Sequence, residues 1–197
     1  MNELRNDLTK FLSDEGWRCN YIEKDKRIVF DIHCRGELDL LHYNIVMDNT
    51  HFIVNVSPAI EAVNYAENLI SEIGDFLVKA MQESLRPDIW YIGEDGIINY
   101  QIKVRYNKSP ISIDTLRKSI YVPVIMYERY GGGIKSIIVE RINSETAFDY
   151  SHNLNKTIIH FNSKEIGSDI KLFNYIIRSL EEVKELEHFG TDAFDDK

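Results

Sequence analysis

The 197-residue chain is poor in several things whose absence narrows its chemistry. It has only two cysteines, Cys19 and Cys34, too few for the disulfide framework of a small secreted scaffold. It lacks an excess of positive charge: 23 Lys and Arg stand against 32 Asp and Glu, a net charge of −9. That balance argues against a nucleic-acid backbone as partner, since phosphate binding draws on a basic surface. No apolar run approaches the ~18 residues of a membrane span. The opening stretch MNELRNDLTKFLSDEG alternates charge with leucine and has no apolar core of the signal-peptide kind. The expectation is a soluble, cytoplasmic protein without a membrane partner. The six histidines form no H-E-x-x-H pair, and His51, His152, His160 and His188 are scattered.

Glycine is sparse but bunched. Gly131, Gly132 and Gly133 precede Lys135 and Ser136. A phosphate loop needs a glycine directly before the lysine, and here Ile134 stands there. A dinucleotide loop needs G-x-G-x-x-G after a strand, and the third glycine is replaced by Ser136. The preceding segment is helical instead: Ile113, Leu116, Ile120, Val124 and Tyr127 recur at three- and four-residue steps behind a Ser112 N-cap. The glycines therefore read as the stop of that helix, with a kink at Pro123.

What is present is amphipathic pattern. Leu4, Leu8, Phe11 and Leu12 share a helical face that Gly16 terminates. From Trp17 the period becomes two, giving four strands in a meander: CNYIEK, RIVFDIHC, DLLHYNIVM and HFIVNV. Pairing Cys34 with Leu41 opposes Ile32 to Tyr43, Phe30 to Ile45 and Ile28 to Met47, all apolar. The other face then opposes His33 to His42, Asp31 to Asn44 and Val29 to Val46. In the next hairpin Met47 faces Phe52, Ile45 faces Val54 and Tyr43 faces Val56. Pro58 is expected to open a long helix with a stripe of Ile60, Val63, Ile70, Ile73, Leu77 and Met81, ended at Arg86-Pro87. The hairpin IWYI-GEDG-IINYQIKV follows, with Asp95-Gly96 as its turn, Tyr91 facing Tyr100 and Ile89 facing Ile102. The order is α-β-β-β-β-α-β-β-α, an α+β fold with a mostly antiparallel sheet. Beyond Glu140 the polar stretch to Lys156, a short TIIHF strand, an amphipathic helix over about 169–188 and an acidic tail form a C-terminal extension. The organisation expected is thus a domain over 1–140 and an extension over 141–197, with Phe173, Ile177 and Leu180 buried.

The short helix before GWRCNYIEKDKRIVFDI, and the long one before IWYIGEDGIINYQIKV, resemble the YbjN family across roughly residues 1–140. Its members are described as bacterial sensory-transduction regulators, with a fold similar to the chaperones of type III secretion. The family has no accepted catalytic motif. The resemblance implies a protein partner, no cofactor and no enzymatic activity, and it favours a homodimer.

The chemistry-bearing residues give two candidate sites. His33 and His42, facing each other beside Asp31, offer two imidazoles and a carboxylate to a zinc ion, but a third or fourth ligand has no convincing spacing; a solvent-facing polar pair is the plainer reading. Cys19, opposite Ile32, would lie near Cys34 as a second small core residue rather than a nucleophile. The other candidate is a partly apolar outer sheet face of Ile22, Val29, Ile53, Trp90 and Ile92. It would pack against another protein or beneath the chain's own C-terminal helix. The expected function is a non-enzymatic chaperone-like or regulatory protein-binding module. The alternatives are an acidic immunity-type protein that neutralises a basic toxin, and an enzyme with an unrecognised site.

Overall fold

The computed structural model describes residues 2–34, 38–59, 67–84, 88–106 and 111–151. All fall within the first of two compact units, Met1–Asn155. The elements are α1 (Asn2–Asp14), β1 (Asn20–Ile22), β2 (Arg27–His33), β3 (Leu40–Met47), β4 (His51–Pro58), α2 (Glu67–Ser84), β5 (Ile89–Ile92), β6 (Ile98–Arg105) and α3 (Ile113–Glu140). This is the α+β order expected from the periodicity. The six strands form one antiparallel sheet in the order β1-β2-β3-β4-β6-β5.

One face of the sheet and the three helices share a single core. Leu4, Leu8 and Leu12 of α1, Ile73, Phe76 and Ala80 of α2, and Ile120, Tyr127, Tyr130, Ile134 and Ile137 of α3 are fully buried in it. The strands contribute Ile28, Leu41, Ile45, Phe52, Val54 and Val56, alternate residues as a half-covered sheet requires. Two buried tyrosines fasten α3 to the sheet layer. Tyr43 donates to the Ile120 carbonyl at 2.8 Å, and Tyr127 donates to the carbonyls of Val56 and Ile98 at 2.9 and 3.1 Å.

The structure corrects several details. The β2–β3 register is Phe30 to Tyr43, Ile32 to Leu41 and Asp31 to His42, two residues from the expected pairing. A shift of two leaves each side chain on its expected face but changes its neighbours. The Cys34 amide donates to the Asp39 carbonyl, which closes the connection two positions earlier than a pairing with Leu41 requires. The β3–β4 pairing is as expected, with Met47, Ile45 and Tyr43 opposite Phe52, Val54 and Val56.

The β5–β6 hairpin is displaced by one residue: Trp90 faces Tyr100 and Tyr91 faces Asn99. Its turn is the cause. Gly96 adopts φ +77° and donates to the Gly93 carbonyl, while Gly93 donates to Ile97 at 2.8 Å. This three-residue loop with a left-handed glycine has odd parity, whereas a two-residue Asp95-Gly96 turn has even parity.

Pro58 does not open a helix. It is the last residue of β4, opposite Leu41. The next amide, Ala59, points to the Leu40 carbonyl of β3, so the proline's missing donor falls on the β6 side. Pairing with β6 has already ended there at Val56, so no ladder bond is lost. On α2 the core stripe includes Leu69, Ile73, Phe76 and Leu77, whereas Ile70 is exposed.

The largest correction concerns the glycine run. α3 passes through Gly131–Gly133, and through Pro123, and is capped at Arg141 in a left-handed conformation. The glycines are buried where other elements press closest. A Cβ on Gly131 would lie 3.0 Å from Leu38, and one on Gly133 would lie 2.6 Å from the Phe76 ring and against the Ser151 hydroxyl. Helical hydrogen bonding commits the amides of this stretch, so they form no phosphate cradle. The helical turn 144–151 packs on the same core: Ala147 is buried, Phe148 stacks on Tyr130, and the Ser144 amide donates to Glu72 at 2.7 Å. The compact unit therefore runs past the expected boundary at Glu140 to Asn155. The expected extension helix with Phe173, Ile177 and Leu180, and the TIIHF strand, lie outside the described residues.

Candidate interaction face of the sheet

Alternation sends Ile22, Arg27, Val29, Asp31 and His33 to the face away from the helices, with Leu40, His42, Asn44 and Val46 of β3 and Ile53, Asn55 and Ser57 of β4. The cross-strand pairing orders them in rows. One row runs Ile22, Arg27, Val46, Ile53, Lys103. The next runs Asn20, Val29, Asn44, Asn55, Gln101, Ile89. Val29 is diagonal to Ile22 and Val46, so four aliphatic side chains surround Arg27 and Asn44. Diagonal neighbours on one face are within reach of such side chains.

The polar atoms in this patch are unevenly satisfied. Gln101 donates to the Asn55 Oδ1 at 2.8 Å, and Tyr91 approaches the same oxygen at 3.4 Å. Arg27 holds Asp25 at 3.1 Å through Nη2. Among the described residues its Nε and the Asn44 Oδ1, both shielded from solvent, have no hydrogen-bond partner. A buried donor or acceptor left unpaired costs roughly 1–3 kcal/mol, so these two atoms are a local cost beneath the patch.

Of the five expected contact residues, Ile22, Val29 and Ile53 lie on this face. Trp90 and Ile92 do not. The odd parity of their hairpin turns Trp90 into the core, where it packs edge-on to Tyr100 at 4.8 Å and Tyr127 at 4.9 Å. Ile92 packs against the same core, and Ile89 and Tyr91 take the outer positions instead. Val46, 37% exposed, completes the patch.

The two histidines are not opposite each other. His33 faces Leu40, and His42 faces Asp31, to whose carboxylate its Nδ1 donates at 2.6 Å. His33 lies 3.9 Å from Asp39 with both side chains largely in solvent. Among the described residues no group of three or more His, Cys, Asp or Glu side chains is placed to hold a metal ion. The cysteines are also apart. Extending the β1–β2 register places Cys19 beside Phe30, four strand positions and ~13 Å from Cys34. Burial pushes the Cys19 thiol up, and the buried Cys34 donates to the Leu38 carbonyl, so neither is poised as a thiolate.

Two carboxylate clusters elsewhere escaped the sequence reading. Glu83 of α2 accepts from Arg129 at 2.7 Å and from the Tyr130 hydroxyl at 2.5 Å. Burial and the Glu83 carboxylate hold the Tyr130 phenol far above the ordinary tyrosine range. Glu15 accepts from Arg117 at 3.1 Å and from Tyr121 at 2.8 Å. In each case the carboxylate is engaged by an arginine and a tyrosine of α3, which ties helices together and leaves no acid poised for proton transfer. The sequence signals were the i, i+4 pair Arg117 and Tyr121 and the adjacent Arg129 and Tyr130, which gain meaning only when a distant glutamate is brought to them.

No described helix is long and apolar enough to cross a membrane. Compared with known proteins, the chain matches no family model and no curated sequence.

Proposed function

We propose that this protein is a non-enzymatic, chaperone-like or regulatory module that binds another polypeptide on the outer face of its sheet. The observation that carries the reading is the patch of Ile22, Val29, Val46 and Ile53, four aliphatic side chains gathered on the sheet face away from the described helices. The apolar side chains of a docked polypeptide would cover these aliphatics. Lys103 and Arg105 also give this face a basic border within an acidic chain, which suits a segment carrying carboxylates. The resemblance to YbjN proteins points the same way.

The test is site-specific photocrosslinking in the host from position 46, with position 139 on α3 as control, where Val139 is exposed. The expected result is a discrete polypeptide adduct from position 46 alone, lost on Ile53→Lys with the melting temperature unchanged. No adduct, or the same background from both positions, overturns the reading. The identity of the captured chain separates a client or regulatory target from a basic toxin bound in the manner of an immunity protein.

A further inference from the structure

The histidines among the described residues, His33, His42 and His51, all stand on the outer face of the sheet, and each has an aspartate beside it. His42 meets Asp31 at 2.6 Å, His33 lies 3.9 Å from Asp39, and His51 lies 4.0 Å from Asp48. Their positions bracket the aliphatic patch. Along the strands the rows run His33 with Leu40, then Asp31 with His42 and Ser57, then Val29 with Asn44 and Asn55, then Arg27 with Val46 and Ile53, then His51 with Arg105. His33 and His42 therefore flank the patch at one end, and His51 flanks it at the other. From the Ser57 row to His51 along β4 is about 20 Å.

Histidine is the side chain whose charge changes between pH 5 and 8. The fixed charges around the patch are Asp31, Asp39 and Asp48 beside the imidazoles, Lys103 and Arg105 on β6, and Arg27 and Asp25, which cancel. While the imidazoles are neutral, three carboxylates outnumber the two cations of β6. Once the imidazoles are charged, five cations face the same three carboxylates. Acidification therefore reverses the sign of the ground around the aliphatic side chains.

We infer that this face takes an extended acidic segment, apolar at its centre and carboxylate-bearing at both ends, and holds it more tightly as pH falls from 8 to 6. The inference rests on the outer-face reading and adds the chemistry of the partner and the regulation of its binding. The spacing fits: an apolar centre covers Val29, Val46 and Ile53 while the two ends reach the His42 row and the row of His51 and Arg105. The sign follows from linkage. A carboxylate of the partner favours a charged imidazole, so binding takes up protons and strengthens as they become available. The aspartates of the face repel such a segment while the imidazoles are neutral, and each is offset when its imidazole is charged. A basic segment would show the opposite slope.

The experiment is fluorescence anisotropy of the full chain with a labelled peptide, Asp-Asp-Leu-Ser-Leu-Ser-Leu-Asp-Asp, whose carboxylates are ionised throughout the range. A peptide with lysine in place of each aspartate is the control. The acidic peptide should bind about tenfold more tightly at pH 6 than at pH 8, and the lysine peptide should not tighten. His33→Gln, His42→Gln and His51→Gln together should remove the pH dependence and leave the melting temperature at pH 8 unchanged. Lys103→Glu with Arg105→Glu should weaken binding at both pH values and keep the slope. No binding of the acidic peptide, an affinity independent of pH, or a slope that survives the triple replacement overturns the inference. If position 46 still yields its polypeptide adduct in that event, the outer-face reading stands and the acidic, proton-linked partner alone falls.

Discussion

α3 is anchored near its two ends by the same chemistry at different depths. Toward its start, Arg117 and Tyr121 hold Glu15; toward its end, Arg129 and Tyr130 hold Glu83. The arginine and glutamate of the first cluster are 40% and 24% exposed and their contact is 3.1 Å long. In the second they are 30% and 29% exposed and the contact is 2.7 Å. The depth differs chiefly at the tyrosine: Tyr121 is half-buried and Tyr130 fully buried. An exposed ion pair is worth little because water and salt compete for both partners. A buried phenol whose only acceptor is a carboxylate has nowhere else to turn. Identical residue types therefore predict different energetics, and burial decides which end of α3 holds the fold.

Alkali should expose that difference most strongly. Tyr43, Tyr127 and Tyr130 are all held well above the ordinary tyrosine range, chiefly by burial. The unfolded chain ionises them near pH 10. The native state, binding more protons above that point, keeps their full contribution below about pH 10 and loses it as pH rises, by about 4 kcal/mol per pH unit for three groups. That limiting slope is reached only above about pH 11, so urea denaturation from pH 9 to 11 should show a loss of about 4 kcal/mol in all, which Tyr130→Phe should reduce by about a third. A stability independent of pH over that range would contradict the burial of these phenols.

Replacing the two glutamates compares the anchors directly. Glu83→Ala leaves the Tyr130 hydroxyl buried without an acceptor and should cost about 3 kcal/mol. Glu15→Ala should cost about 1 kcal/mol or less, because Arg117 returns to water. Equal losses in chemical denaturation would mean that depth does not separate them.

The glycines of the deeper half give smaller effects than Glu83→Ala, and Gly131 the smallest of all. Gly133→Ala drives a methyl into the Phe76 ring, and after the helix-propensity gain of ~1 kcal/mol should still lose about 1–2 kcal/mol. Gly131→Ala meets the Leu38 side chain no closer than 3.0 Å, a tight contact that the helix-propensity gain should offset, and should come out near zero. Differential scanning calorimetry of the pair resolves the order; a more damaging Gly131→Ala would reverse the assignment of which position is tight.

These glycines also mark where the sequence stops being informative. Alternation identified the inward residues of β2, β3 and β4, because burial on one face leaves a period-two trace that survives a slip of two. Parity across the β5–β6 turn did not survive, since one left-handed residue at Gly96 moves every partner by one, and Trp90 crossed from the outer face to the core. Gly131–Gly133 carry a local preference for ending a helix, overruled by the proximity of Leu38, Phe76 and Ser151, which no local pattern encodes. The outer patch was half legible: Ile22, Val29 and Ile53 follow from alternation, whereas the unpaired Asn44 and Arg27 atoms depend on cross-strand neighbours.

The chain order of the two layers has a consequence during synthesis. The last described strand ends at Arg105, but the helix that roofs it ends at Glu140. At about 5–20 residues per second, α3 emerges complete roughly 2–7 seconds after β6. During that interval Phe52, Val54, Val56 and Tyr100 have their strand partners but lack α3, and the β5 margin is exposed at the same time. Until α3 arrives the nascent protein is therefore vulnerable to association, and a translational pause between residues 106 and 140 would lengthen that period.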